Sequence, residues 1–499
     1  MTSSNLVRIG YKKEATYGVT PAAVKATKVL QDITWSAVKG GEAGNNFQIE
    51  YLNTVTAGSE TITISGNVIT VNMDGTAPKS TATQIMTAVS AASAALATLG
   101  VTATLTGTGS NQQDAAAVSS FTGGSGSFRT ARFTSENYSG TPETTESQNI
   151  RTDRLSSGQV VTSLAVEGGH NFELSKEEAI EDFVESAMYN TWTTSSLKSA
   201  TMDINTTLQT ITRASGSFIT DGVVVGDFLK LTNFASSGNN VIVMVMEVTS
   251  ATVIKYAGPT GMVTVSADAA NFQVCDKISI GTTKKSLTVE KTFTDLTTKA
   301  LIYKGCIVNE MELNIEYGSL INGSFKTMGN GYTQADAASE FASYLEYFKA
   351  AATSQSLNGS VDMPFLATNV TGTWEQDAFC IQSLKLGLNN NLTTLNCIGR
   401  EAPDDYSPGN AQITASLSSY LKDSNWNMLA KKLTQESFAL GFQVKNSDGW
   451  YGFYIPALQV SFDDPQSAGA NQEISMDMSG VAKVGAGGES SLTIYREPS

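Results

Sequence analysis

The chain holds one histidine, His170, and that limits the chemistry open to it. A serine–histidine–aspartate relay would hang on this single residue, and a histidine-rich metal site cannot be built from one imidazole. His170 lies mid-strand beside Gly168-Gly169 and reads as structural. Gly107-Thr108-Gly109 and Gly329-Asn330-Gly331 lack the lysine a phosphate loop needs. The acids Asp404-Asp405 and Asp463-Asp464-Pro465 read as turns rather than as a glycosidase pair or a calcium site. The aromatic run Trp450, Tyr451, Phe453 and Tyr454 fits a core strand or subunit interface better than a sugar platform. Cys275, Cys306, Cys380 and Cys397 have no CxxC spacing, so reduced, buried thiols are expected. The expectation is a chain with no catalytic residues, no cofactor and no metal site.

Composition points the same way. Charged residues make up 16% of 499, while the net charge is -15. That balance opposes a dedicated nucleic-acid binder, which needs clustered Lys and Arg to displace counterions. It suits a surface that must not adhere to DNA. Met1 to Gly10 has no apolar core of a signal peptide, and the longest aliphatic run, Val241 to Met246, is far short of a membrane span.

The elements that must position any site are mainly strands. Residues 1–35 read as an N-terminal arm and first strand. Residues 36–128 turn Thr/Ala/Gly-rich and read as an inserted α+β domain. It has strands at Phe47–Leu52, Thr61–Ser65, Asn67–Asn72 and Val101–Leu105, and an amphipathic helix over Ala82–Leu99. Residues 129–194 carry a strand ending at Leu174 and a helix capped by Ser175, with Glu178 completing a capping box. Residues 195–282 read as an inserted β-barrel, with turns at Asp221-Gly222, Gly226-Asp227 and Gly238-Asn239-Asn240. Residues 283–334 resume long strands, 335–373 read as a helical linker with a helix over Ala335–Ala352, and 374–499 are again strand-rich.

The strand-rich parts repeat. Cys380–Asn389, a polar turn at 397–401, Gln412–Tyr420, a helix capped by Asp423, Phe438–Val444, Trp450–Ser461 and Glu473–Val481 follow one order. Arg129–Asn137, a polar turn at 149–154, Val166–Leu174, the Ser175-capped helix, Leu287–Phe293, Ala300–Ile315 and Asn322–Met328 follow it too, once the barrel is set aside. Such a repeat implies two similar domains in one subunit. The fold class is therefore mainly β, with duplicated sandwich or barrel domains, each with one flanking helix, plus two small inserted domains.

With these residues in place, the chain resembles a known family. Arg151-Thr152-Asp153-Arg154, then Leu164 to Leu174 and the helix after it, together with Glu14-Ala15-Thr16-Tyr17-Gly18-Val19-Thr20-Pro21, resemble the major tail tube proteins of long-tailed, siphophage-type bacteriophages. The resemblance covers about residues 1–35, 129–195 and 283–499. It implies antiparallel sandwiches whose long hairpins join across subunits into a barrel around a channel. It further implies rings of six tube domains stacked along a virion tail, assembled in the host cytoplasm, through which viral DNA passes without specific binding. A duplicated subunit would need three copies per ring, a pseudo-hexameric trimer, with a hexamer as the alternative. Further partners implied are a tape measure protein and tail terminator or tip proteins; no membrane is implied.

Unpaired strand edges are an aggregation hazard that closing a ring removes. Glu310 to Glu316 and Glu473 to Met478 alternate polar with apolar. One face is expected to bury Met311, Leu313, Ile315, Ile474, Met476 and Met478. The other would present Glu310, Glu312, Glu316, Glu473 and Asp477 to the channel, where acid repels phosphate. The competing reading of these acids is an ordinary solvated strand face. The competing function is a tail-fibre or surface adhesin binding host glycans. Both inserts are expected outside the tube.

Overall fold

The computed structural model describes residues 6–149, 152–153, 155, 158–370, 372–377, 379–466 and 473–498, with the backbone alone at 342, 343 and 424. Two compact units emerge: residues 1–132, 286–306 and 331–351 form one, and residues 133–285, 307–330 and 352–499 the other. The strand Ala300–Glu316 supplies residues to both.

In the first unit, Val7–Lys13 pairs with Leu287–Phe293 and with Arg129–Ala131. The start of Ala300–Glu316 lies between Leu287–Phe293 and Gly331–Ala335. A three-stranded sheet of Lys25–Leu30, Ile33–Gly40 and Val101–Leu105 spans the boundary expected at residue 36, joining residues of the arm to the insert. The insert also adds a four-stranded sheet in which Gln48–Asn53 runs parallel to Val68–Met73. The expected helix over 82–99 is two helices, Ala82–Ala91 and Ser93–Leu99, bent by 76°. Their apolar stripe, with Ile85, Val89 and Leu96, closes a core around Trp35 and Tyr51, whose indole N–H donates to the Tyr51 hydroxyl at 3.1 Å.

In the second unit, strands run edge to edge in the order Ser139–Glu146, Gln159–Glu173, Asn322–Gly329, 307–316, Ile381–Asn389, Gln412–Tyr420 and Ser475–Ala482. Trp450–Ser461 then links this sheet to Phe438–Lys445 on one side and to Thr493–Arg496 on the other.

The duplication is visible in these ladders. The first strand of the first copy is Ser139–Glu146 rather than the expected Arg129–Asn137, which holds only the short strands Arg129–Ala131 and Ser135–Glu136. With that change, each copy pairs its first strand with its second, its second with its last, its last with the long fourth, and the fourth with the third. Even the irregularities match: one ladder jumps from Leu287↔Cys306 to Val289↔Tyr303, the other from Phe438↔Leu458 to Leu440↔Ile455. Each last strand has eight residues, Asn322–Gly329 and Ser475–Ala482.

Residues 195–282 contain a closed six-stranded barrel, from Lys198–Asn205 to Val265–Val274. Its interior is built from Ile204, Phe218, Leu229, Val243, Ile254 and Phe272. Its outer surface is also part of a core. Phe228, Ile242, Met244 and Met246 pack with Phe365, Trp450, Tyr454 and Tyr495 of the surrounding tube strands. Beside this patch Asp227 is fully buried, accepting from the Lys277 ammonium at 2.7 Å and the Tyr495 hydroxyl at 3.1 Å.

Several expectations need correction. The helix over Ala335–Ala352 is absent as such: the segment ends a strand at Ala335 and forms only the short helix Ala342–Leu345. Its backbone goes to neighbours instead, Tyr347 N–H to the Gly40 carbonyl and Lys349 N–H to that of Phe128. The first copy's helix begins at Glu178 with Glu177, not Ser175, at the N-cap position and no side-chain cap hydrogen bond from it; Ser175 is buried two residues earlier. After Asp423 there is a 3-10 turn before the helix Met428–Thr434. Cys275 and Cys306 are buried, but Cys380 and Cys397 are exposed. The polar turn expected at 149–154 includes Ile150, Arg151 and Arg154, which lie outside the described residues.

Candidate assembly face and channel lining

Strand alternation sends every second side chain to one face. On 307–316 that puts Met311, Leu313 and Ile315 in the core and Glu310, Glu312, Asn314 and Glu316 on the opposite, polar face. The register carries this face across both repeats. Glu312 lies between Ser324 and Gly387, and Gly387 is opposite Thr414. Glu316 is opposite Ser383, Ser383 opposite Ser418, and Ser418 opposite Asp477. Four of the five expected acids, Glu310, Glu312, Glu316 and Asp477, therefore share one continuous surface. Glu473 does not belong to it as a strand residue, because the strand starts at Ser475. Ile474 is likewise outside the strand and 37% exposed, whereas Met476 and Met478 are buried as expected.

Sequence reasoning missed the cations. Lys326 sits opposite Glu310 and donates to it at 2.5 Å; Lys385 reaches Glu312 at 3.0 Å. The hydrogen bond that Lys326 donates to Glu310 raises the lysine's pKa above its ordinary value. Both lysines occupy polar-parity positions in their strands, so the alternation that located the acids also locates them. On six of the seven strands of this sheet, Gln159–Glu173 to Ser475–Ala482, the described charged residues are Glu167, Glu173, Glu310, Glu312, Glu316 and Asp477 against Lys326 and Lys385. The surface is acidic but partly neutralised. Asp477 also accepts from the Ser418 hydroxyl.

His170 points the other way, into the core. It lies among Phe172, Phe183 and Phe325, with Nδ1 2.9 Å from the Tyr138 hydroxyl. Burial lowers its pKa to about 4, so it is neutral at physiological pH. Trp450, Tyr451, Phe453 and Tyr454 are all buried, which makes them core rather than a sugar platform. Glu14, from the N-terminal motif, accepts from the Thr288 hydroxyl at 2.7 Å and from Gly305 N–H at 2.9 Å, tying the arm to the strands of its unit.

A twice-repeated β unit, joined to its own copy through strand edges and presenting an even polar sheet face, defines a structural building block. A family model described as phage tail tube protein matches residues 134–482, more than half of the chain. The chain belongs to the phage tail tube protein family, and it is a structural protein of the virion tail rather than an enzyme. No curated protein matches it.

Proposed function

We propose that three copies of this chain close into a pseudo-sixfold ring, that rings stack into a hollow tube, and that viral DNA passes along the polar sheet face during ejection. The observation that supports this most directly is the pairing of Glu310–Glu316 with Ser383–Asn389. It joins one repeat to the other edge to edge, so the chain already contains one of the junctions a ring of six repeats needs. Glu310, Glu312, Glu316 and Asp477 would then face the channel, with Glu473 near its rim. Tape measure, terminator and tip proteins would be the tube's other partners.

Electron microscopy of the purified chain tests the reading. Rings or filaments with a central bore and threefold symmetry, each subunit contributing two tube lobes, are expected. Solitary particles with no bore at any concentration would end it, and six subunits per ring would replace the trimer.

A further inference from the structure

We infer that the junction between the two repeats inside the chain is the template for the junction between chains: residues 461–465 of one subunit pair with residues 137–141 of the next. The inference rests on the ring reading above and specifies its contact.

The register fixes the correspondence. Val166↔Gly329 and Ile413↔Ala482 occupy the same place in the two copies, each pairing the end of the last strand. One residue further, Ser139 is opposite Glu167 and Gly387 opposite Thr414, so Ser139 corresponds to Gly387. On the long strand, Ile307↔Met328 corresponds to Gln459↔Val481. The first copy has a bulge between Val308 and Glu310 that the second lacks. Past it, Glu310, Met311 and Glu312 correspond to Ser461, Phe462 and Asp463. Burial agrees: Met311 and Phe462 are buried, and the residues flanking each are not.

Inside the chain, Glu312 lies opposite Gly387. Transferred to the boundary, Asp463 lies opposite Ser139 of the neighbour, and Ser461 opposite Thr141. Both edges are available for this. Among the described residues, Ser139–Thr141 pair on one side only, with 165–167, and on the edge of Trp450–Ser461 away from Ser475–Ala482 the ladder to Phe438–Lys445 stops at Leu458.

Pro465 supports the assignment. Asn390 N–H donates to the Asn309 carbonyl and Tyr317 N–H to that of Gln382. By antiparallel alternation, Glu310, Glu312 and Asn314 are then non-hydrogen-bonded positions on this edge. Pro465 corresponds to Asn314, so its missing N–H costs nothing across the boundary.

The flanking helices show the same asymmetry. The first copy's helix, Glu178–Met188, is buried throughout from Ala179 to Met188. Second-copy residues help cover it: the Asn390 side chain donates to the Ala187 carbonyl at 2.9 Å, and Arg496 pairs with Glu181. The second copy's helix, Met428–Thr434, buries only Met428, and leaves Leu433 83% and nearby Trp426 59% exposed. The neighbouring chain would cover this face as the second copy covers the first.

Paired cysteines test the register. In a chain with Cys380 and Cys397 changed to serine, Asp463→Cys with Ser139→Cys should give disulfide-linked dimers and trimers on mild oxidation. Asp463→Cys with Glu143→Cys, a register four residues away, should give no more than the single-cysteine background. Rings in the microscope with the second pair linking and the first silent would overturn the inference and leave the tube reading standing. Absence of rings from the unmodified chain would instead defeat the tube reading itself. Leu433→Asp gives an arm independent of the cysteine variants. It should leave the melting temperature unchanged and abolish rings; rings equal to the parent's would remove the helix from the contact.

Discussion

A neutral imidazole held among Phe172, Phe183 and Phe325 makes His170 a liability in acid. Its folded pKa, about 4, lies below the ordinary 6.5 because burial disfavours the charged form. The unfolded chain therefore takes up the proton first as pH falls. The contribution is complete above about 6.5 and is lost between there and about 4, for a total of roughly 3 kcal/mol. Denaturant titrations of His170→Gln should show a shallower decline across that window than the parent; parallel curves would contradict the assignment. Gly169, next to it, faces a different limit: a Cβ there would run into the Phe325 backbone carbonyl across the ladder. Gly169→Ala should cost more than about 3 kcal/mol, read as a lowered denaturation midpoint, because the strands cannot part without losing their hydrogen bonds.

Period-two alternation and turn residues made most strands legible as elements; Thr61–Ser65, Leu287–Phe293, Gln412–Tyr420 and Trp450–Ser461 have the expected bounds. The Ala335–Ala352 helix was not legible because its alanine-rich pattern is overridden by tertiary partners. Glu346 binds the Lys12 ammonium at 2.9 Å, and Tyr347 and Lys349 spend their N–H groups on the carbonyls of Gly40 and Phe128. The acids of the polar face could be read from parity, but the Lys326 and Lys385 pairings depend on which strands are neighbours, and no local pattern states that. The barrel was readable as a unit, yet its shared core was not. Its ends lie side by side, since Thr193 pairs with Lys277, so it can be excised across a short linker. Excision would uncover Phe365, Trp450, Tyr454 and Tyr495, a loss on the order of 5 kcal/mol. The excised chain should melt earlier and bind a hydrophobic dye. An unchanged melting temperature would show that the barrel is a mere ornament.

At the scale of the whole molecule, the balance on the polar face decides how a tube would treat DNA. Six carboxylates and two lysines leave four negative charges per chain, spread along strands shared by both repeats. Such a surface repels phosphate without focusing a strong field, because each lysine neutralises the acid beside it. Changing Glu310 and Glu312 to lysine takes that balance from four negative charges to none and gathers four lysines in one cluster with Lys326 and Lys385. Both acids are partly exposed, so the fold should lose less than about 1 kcal/mol. Tubes should therefore form with normal length and diameter. DNA should now stick in them, with retention weakening on the order of a thousandfold as salt rises through the physiological range, because each phosphate contact releases counterions. Virions carrying the variant should attach but deliver DNA poorly. Normal delivery through tubes with both substitutions would show that these strands do not face the channel.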